Sequence, residues 1–84
     1  MHKIIVLNNG TTLICSIEEI ITDPGNPDCK IIEPYEIVGG VGDYKLEKWI
    51  PFTNQNELMI HSTNILTIVE PTDKILESYI KLIK

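Results

Sequence analysis

His61, Ser62, Thr63 and Asn64 form an unbroken polar run between two apolar ones, Leu58 to Ile60 and Ile65 to Val69. Together they offer an imidazole, two hydroxyls and a carboxamide, a set that both donates and accepts hydrogen bonds. A polar corner where two strands meet is a common place to mount binding chemistry. A second polar cluster, Asp23-Pro24-Gly25-Asn26-Pro27-Asp28, sets the Asp23 carboxylate three residues before the Asn26 carboxamide. Turn formation by itself accounts for that composition.

Catalytic arrangements find little support. His61 and Ser62 are neighbours at a strand end, so their side chains point to opposite faces and make no nucleophile–base pair. His2, Cys15, Cys29 and His61 lack metal-site spacing. Glu18-Glu19 reads as a surface pair rather than a positioned dyad. Gly39-Gly40-Val41-Gly42 is followed by neither Gly-Lys-Ser/Thr nor a helix, so it is a loop tip and not a phosphate loop. Trp49 and Phe52 can stack, but large aromatics in so small a chain belong to the core or an interface, and Tyr35 to the core. Lys45 and Lys48 flank Glu47 and read as a solvated strand face. The expectation is a binding protein, not an enzyme, with no metal and no cofactor.

The elements that must hold these groups are mostly short strands. Lys3 to Leu7 is a β-branched run ending in Asn8-Asn9-Gly10, and Asn-Gly between strands is a strong hairpin signal. From Thr11, Leu13, Cys15 and Ile17 alternate with Ile14, Ser16 and Glu18, the period of a half-buried strand. Glu19-Ile20-Ile21 breaks the alternation and predicts a bulge or bend. Cys29 to Val38 is a third strand with Ile31, Tyr35 and Ile37 on one face, and Pro34 marks an edge or a bulge in it. Tyr44 to Phe52 is a fourth, with Tyr44, Leu46, Ile50 and Phe52 in phase. Glu57 to Ile60 resumes it or starts another, and Ile65 to Val69 closes the β region. Thr72 then caps a helix whose stripe is Ile75, Leu76, Tyr79, Ile80 and Ile83. A strand set this small, strongly bent, tends to close into a barrel because open edges are a liability. One domain over 1–84 is expected, β from about 2 to 70 and helical from about 72 to 83.

The 84 residues include 12 acids and seven Lys, with no Arg and no Ala, for a net charge of −5. All of that excess lies before Tyr44, with seven acids and two Lys up to Asp43, against five of each after it. An acidic chain is a poor generic binder of nucleic acid, whose affinity normally comes from phosphate neutralisation. Any such role must rest on a local site, for example a ring of repeated polar loops. A hydrophobic content of 43% is more than a small monomer hides, which favours oligomers. If the strands about the 23–27 turn pair, Cys15 stands opposite about Tyr35 and Cys29 opposite about Ile21. The two thiols then do not meet and are expected free, as in a reducing compartment. Without a signal peptide or membrane-spanning run in this sequence, the expected location is the cytoplasm of a bacterial or phage-infected cell. Abundant Ile, Asn and Lys without Arg or Ala resembles the coding bias of an AT-rich genome.

Two stretches carry a family resemblance. Val6-Leu7, Asn9-Gly10, Cys15, Ile17, Asp23 and Asn26 follow one pattern, and Ile60-His61-Ser62-Thr63-Asn64 running into Ile65 to Val69 follows a second. Over about two-thirds of its length the chain resembles the Sm-like (Sm/LSm) RNA-binding proteins. It departs from them at Cys15, where the family prefers Gly, and at His61-Ser62, where it has Arg-Gly. Asp23 and Asn26 are also closer together than usual, and the helix is C-terminal rather than N-terminal. The resemblance implies a five-stranded, highly bent antiparallel barrel of the SH3-like kind. It implies homo-oligomeric rings, here of about five to seven subunits, joined through strands near 57–61 and 65–69. It also implies single-stranded RNA or DNA bound at the pore by Asp23, Asn26, His61, Ser62, Thr63 and Asn64, in nucleic-acid processing or chaperoning. The competing expectation is a structural or adaptor ring, such as a phage assembly component, that binds protein.

Overall fold

A computed structural model describes residues 1–84. Six strands and one helix follow in order: β1 His2–Leu7, β2 Thr12–Glu19, β3 Cys29–Gly40, β4 Asp43–Lys48, β5 Glu57–Ile60, β6 Ile65–Val69 and α1 Asp73–Ile83. All pairings are antiparallel. The sheet runs β4-β3-β2-β1-β6, and β5 pairs with the other half of β3. No ladder joins β6 to β4 or β5, so both ends of the sheet are open edges.

The first hairpin forms where Asn-Gly predicts it, by a three-residue loop. Gly10 N–H donates to the Leu7 carbonyl at 2.9 Å and Leu7 N–H to the Thr11 carbonyl at 2.8 Å. Within this loop only Gly10 takes positive φ, at 91°, which is the left-handed position that follows a type I turn in such loops. Residues 23–26 make a second tight turn, with Pro24 and Gly25 (φ 91°) at its centre and Asn26 N–H donating to the Asp23 carbonyl at 3.1 Å. Fixed φ at Pro and positive φ at Gly are what a type II turn needs.

The register differs from expectation in β2 and β3. Tyr35 pairs with Ile14 rather than Cys15, and Cys29 with Glu19 rather than Ile21. Strand β2 ends at Glu19 without the bulge expected at 19–21. The irregularity lies on β3 instead, where Ser16 pairs with Ile32 and Ile14 with Tyr35, so Glu33 and Pro34 together face Cys15. The Pro34 signal is thus a bulge. An extra residue moves every later side chain to the other face of the sheet. Ile31 therefore joins one core cluster while Tyr35 and Ile37 pack against the other, and the single face expected for the three is split.

The first cluster, Ile5, Leu7, Leu13, Cys15 and Ile31, is joined by Ile17, Trp49, Leu58, Ile60 and Ile65. The second, Ile14, Ile75 and Tyr79, binds α1 to the opposite face with Ile4, Tyr35, Ile37, Tyr44, Leu46 and Ile83. Strand β2 is buried on both faces between Leu13 and Cys15, because its alternate side chains feed both clusters. Cys15 and Cys29 are buried free thiols, and burial pushes the Cys15 thiol up to about 12, leaving it protonated and inert. Strand β4 stops at Lys48, four residues short of expectation. Ile50 and Phe52 leave the ladder, and Phe52 is 95% exposed rather than core. Gly39 and Gly40 belong to β3, and a two-residue turn at Val41-Gly42 replaces the longer loop expected there.

Glu33 holds φ at 53° directly before a proline, a position that disfavours most side chains. Three hydrogen bonds over-determine the joint. Glu33 N–H donates to the Asn56 carbonyl at 2.7 Å, and Trp49 N–H to the Pro34 carbonyl at 3.3 Å. The fully buried Tyr79 donates its hydroxyl to the Glu33 carbonyl at 2.8 Å. Tyr79→Phe keeps the edge-on packing against His2 and Tyr35 but leaves that carbonyl without its donor. The expected loss is about 1–3 kcal/mol, read by urea denaturation at unchanged m-value. An unchanged midpoint would show that the hydroxyl is not what holds the bulge.

Candidate functional site

The polar corner between β5 and β6 is a single 3-10 turn, Ser62–Asn64, entered from an extended His61. Asn64 N–H closes it on the His61 carbonyl at 3.0 Å. Two other loops clamp it. From the β1–β2 loop, Asn8 donates its Nδ2 to the Thr63 carbonyl at 2.7 Å and its backbone N–H to the Asn64 carbonyl at 2.8 Å. From the β2–β3 loop, Asp28 accepts the Ser62 N–H and the Ser62 hydroxyl, both at 2.7 Å.

The clamp explains what each corner residue has left to offer. The Ser62 hydroxyl is committed as a donor to Asp28. The His61 ring, the Thr63 hydroxyl and the Asn64 carboxamide make no hydrogen bond within the chain. His61 is half-buried, and Thr63 and Asn64 are exposed. Three loops therefore converge on one surface, with the corner's backbone fixed and several of its side chains free.

Asp23 and Asn26 stand apart from this cluster. Both are exposed at the two ends of the type II turn, and neither side chain hydrogen-bonds to the corner. The residue that ties their loop to the corner is Asp28, which the sequence marked only as turn chemistry. The register is the missing signal: Cys29 pairs with Ile60, so the residues just before β3 and just after β5 must meet.

The Ser62 side chain, then the Ser62 amide, hold the Asp28 carboxyl below its usual range. A depressed pKa stabilises the folded arrangement above the unfolded pKa, and that stabilisation is lost as pH falls through the folded value. The corner should therefore stay closed through mildly acid pH and open only at strongly acid pH. Followed by NMR, the Ser62 amide should titrate with a midpoint below 3.8, the ordinary aspartate value, and Asp28→Asn should remove the transition. A Ser62 amide that does not titrate would mean that the carboxylate does not close the turn.

Basic charge near the corner is scarce. Lys3 is paired with Glu70. Lys30 lies between Glu18 at 3.4 Å and Glu57 at 3.5 Å, and Glu18 first, then Glu57, raise its pKa. Lys48 donates to the Thr53 carbonyl. Lys45 and Glu47 are exposed on β4, the solvated face expected of them.

The open edges bracket the same corner. Strand β6 pairs with β1 along one side only, and Leu66, Ile68 and Val69 are exposed. Strand β5 pairs with β3 along one side only, and Met59 is exposed. A cleft of about 490 Å³ runs along β6 past Ile17, Cys29, Ser62, Ile65, Leu66 and Ile68. No helix of the chain is long and apolar enough to cross a membrane.

Residues 1–84 match the profile of a family described as a family of unknown function, DUF6561. No curated protein matches the sequence.

Proposed function

The chain belongs to this family of unknown function, and from its own residues we propose that it is a divergent Sm-like protein. On this reading it forms a homo-oligomeric ring and binds single-stranded nucleic acid, RNA before DNA, through the polar corner at the pore. The carrying observation is the order of the sheet. Strands β4 and β5 lie on one flank of β3, one to each half, so six strands fill five positions, with β6 beside β1 at the far end. Leu58 and Ile60 of β5 pack against the same core cluster as Ile65 of β6. That common packing supports a sheet curled toward a small barrel, with its two terminal strands adjacent across the corner.

In a ring, the free edge of β5 in one copy would take the free edge of β6 in the next. Such pairing satisfies both ladders and covers the exposed Met59, Leu66 and Ile68. Repeating the corner around an axis would multiply a weak polar site into a continuous lining, which suits a chain with no net positive charge. His61 then supplies a stacking ring, and Thr63 and Asn64 supply base-edge hydrogen bonds.

The Asp28 carboxylate beside the corner favours a second reading, a structural or adaptor ring that binds protein. Light scattering after size exclusion, at two protein concentrations, tests the ring: a concentration-independent species of about five to seven subunits is expected. Oligonucleotide binding at low and high salt then separates the readings, because phosphate contacts weaken steeply with salt and an apolar protein contact does not. A monomer at every concentration removes the ring and the pore together.

A further inference from the structure

Beside the corner lies a cleft of about 340 Å³ lined by Leu7, Asn8, Asn9, Trp49, Ile60 and Asn64. Each of the other four clefts of the molecule carries at least one Lys or Glu. This one carries no charged side chain, in a chain with 19 Lys, Asp and Glu residues. Its contents are one indole, two aliphatic side chains and three carboxamides.

The carboxamides are partly committed, and what remains is complementary. Asn8 uses Nδ2 on the Thr63 carbonyl, which leaves Oδ1 as an acceptor. Asn9 uses Oδ1 on the Thr11 amide at 3.0 Å, which leaves Nδ2 as a donor. Asn64 has both its carboxamide ends free. Trp49 packs against the first core cluster, so its position is set by the fold rather than by a mobile side chain. Both asparagines of the β1–β2 loop are held by their own bonds, so the site is formed before any ligand arrives.

We propose that this cleft is a nucleobase subsite, in which a base stacks on Trp49 and presents its polar edge to Asn64, Asn8 and Asn9. A planar heteroaromatic ring with donors and acceptors on one edge fits that inventory. A phosphate does not, since no cation lines the cleft. Stacking on an aromatic side chain and carboxamide pairing to a base edge are the two sequence-tolerant and sequence-reading halves of such recognition. The inference deepens the nucleic-acid reading and rests on it for the polymer, while a free nucleoside carries the same chemistry.

The chain has one Trp, so stacking reports itself. Trp49 emission is titrated with adenosine, guanosine, uridine and cytidine, and with single-stranded homo-oligonucleotides whose binding is read separately by anisotropy. Saturable quenching by an oligonucleotide, weakened about tenfold in Asn64→Ala at unchanged particle mass, is the expected result. Trp49→Phe, which keeps an apolar ring in the core, should retain measurable but weaker binding. Quenching by nucleosides without oligonucleotide binding keeps the cleft and overturns the polymer reading. Oligonucleotide binding with unchanged Trp49 emission and a wild-type affinity in Asn64→Ala overturns the cleft and leaves the polymer reading standing. Silence in every titration overturns both.

Discussion

Deletion of Glu33 and Pro34 together should abolish cooperative folding. Strand β3 reaches both core clusters because one extra residue changes its phase at Glu33-Pro34. With both residues gone, Tyr35 follows Ile32 directly and stands opposite Cys15 instead of Ile14, so Tyr35 and Ile37 fall on the face of Ile31 and turn away from α1. Loss of Glu33 alone would only smooth the bulge and leave Tyr35 opposite Ile14. Tyr35 and Ile37 are half-buried, so each loses part of a burial worth about 1.5–3 kcal/mol when complete. Tyr79 loses the carbonyl that accepts its hydroxyl, worth about 1–3 kcal/mol more. The sum reaches about 5 kcal/mol, the lower end of a domain's whole stability, in a chain with only 10 buried residues. The β5 junction fails as well, because Glu33 N–H is what the Asn56 carbonyl accepts from. A circular-dichroism melt should show a broad, non-cooperative decay. Glu33→Gly is the counter-experiment. It keeps the residue count and relieves a left-handed φ that costs about 1–2 kcal/mol, against about 0.5–1 kcal/mol of added chain entropy. It should fold, with a Tm equal to or a few degrees above wild type. A deletion variant that melts as sharply and as high as wild type would show that β3 reaches its two faces some other way.

What could be read in the sequence was local. The Asn8-Asn9-Gly10 hairpin, the 23–26 turn and the helix from Asp73 each depend on residues within one turn of each other. Alternation in β2 was legible because no bulge interrupts that strand. The bulge signal at Pro34 was legible too, but its consequence was not. The flip of Tyr35 and Ile37 onto the helix depends on Tyr79, 46 residues from the Glu33 it bonds, which no window of β3 contains. The corner followed the same division. Its residues stood out by composition, but its anchor, Asp28, lies 34 residues from Ser62 and looks like any other turn acid. Asp23 and Asn26 drew attention instead, because turn-forming and ligand-binding chemistry use the same side chains. Phe52 misled for a related reason. It kept the phase of Tyr44 and Leu46 on paper, but β4 ends at Lys48 and the chain leaves the sheet before reaching it.

If the protein assembles through β6 as proposed, Leu66→Lys should reduce it to a monomer of 9.5 kDa without unfolding it. Leu66 is 68% exposed, so the isolated fold loses little when it changes. Its strand carries almost no polar surface of its own, which is costly for an unpaired edge and natural for a covered one. In a ring each interface contains one β6, so the introduced ammonium appears at every junction. Burying it there unpaired costs several kcal/mol per contact, and one open junction suffices to break closure. Lys45→Leu, on exposed β4 away from both proposed edges, serves as the control and should leave the mass unchanged. Light scattering reads the mass, and circular dichroism confirms the fold. If Leu66→Lys keeps the wild-type mass, β6 is not the assembling edge. In that case the corner must be considered as the surface of a single subunit and not as the lining of a pore.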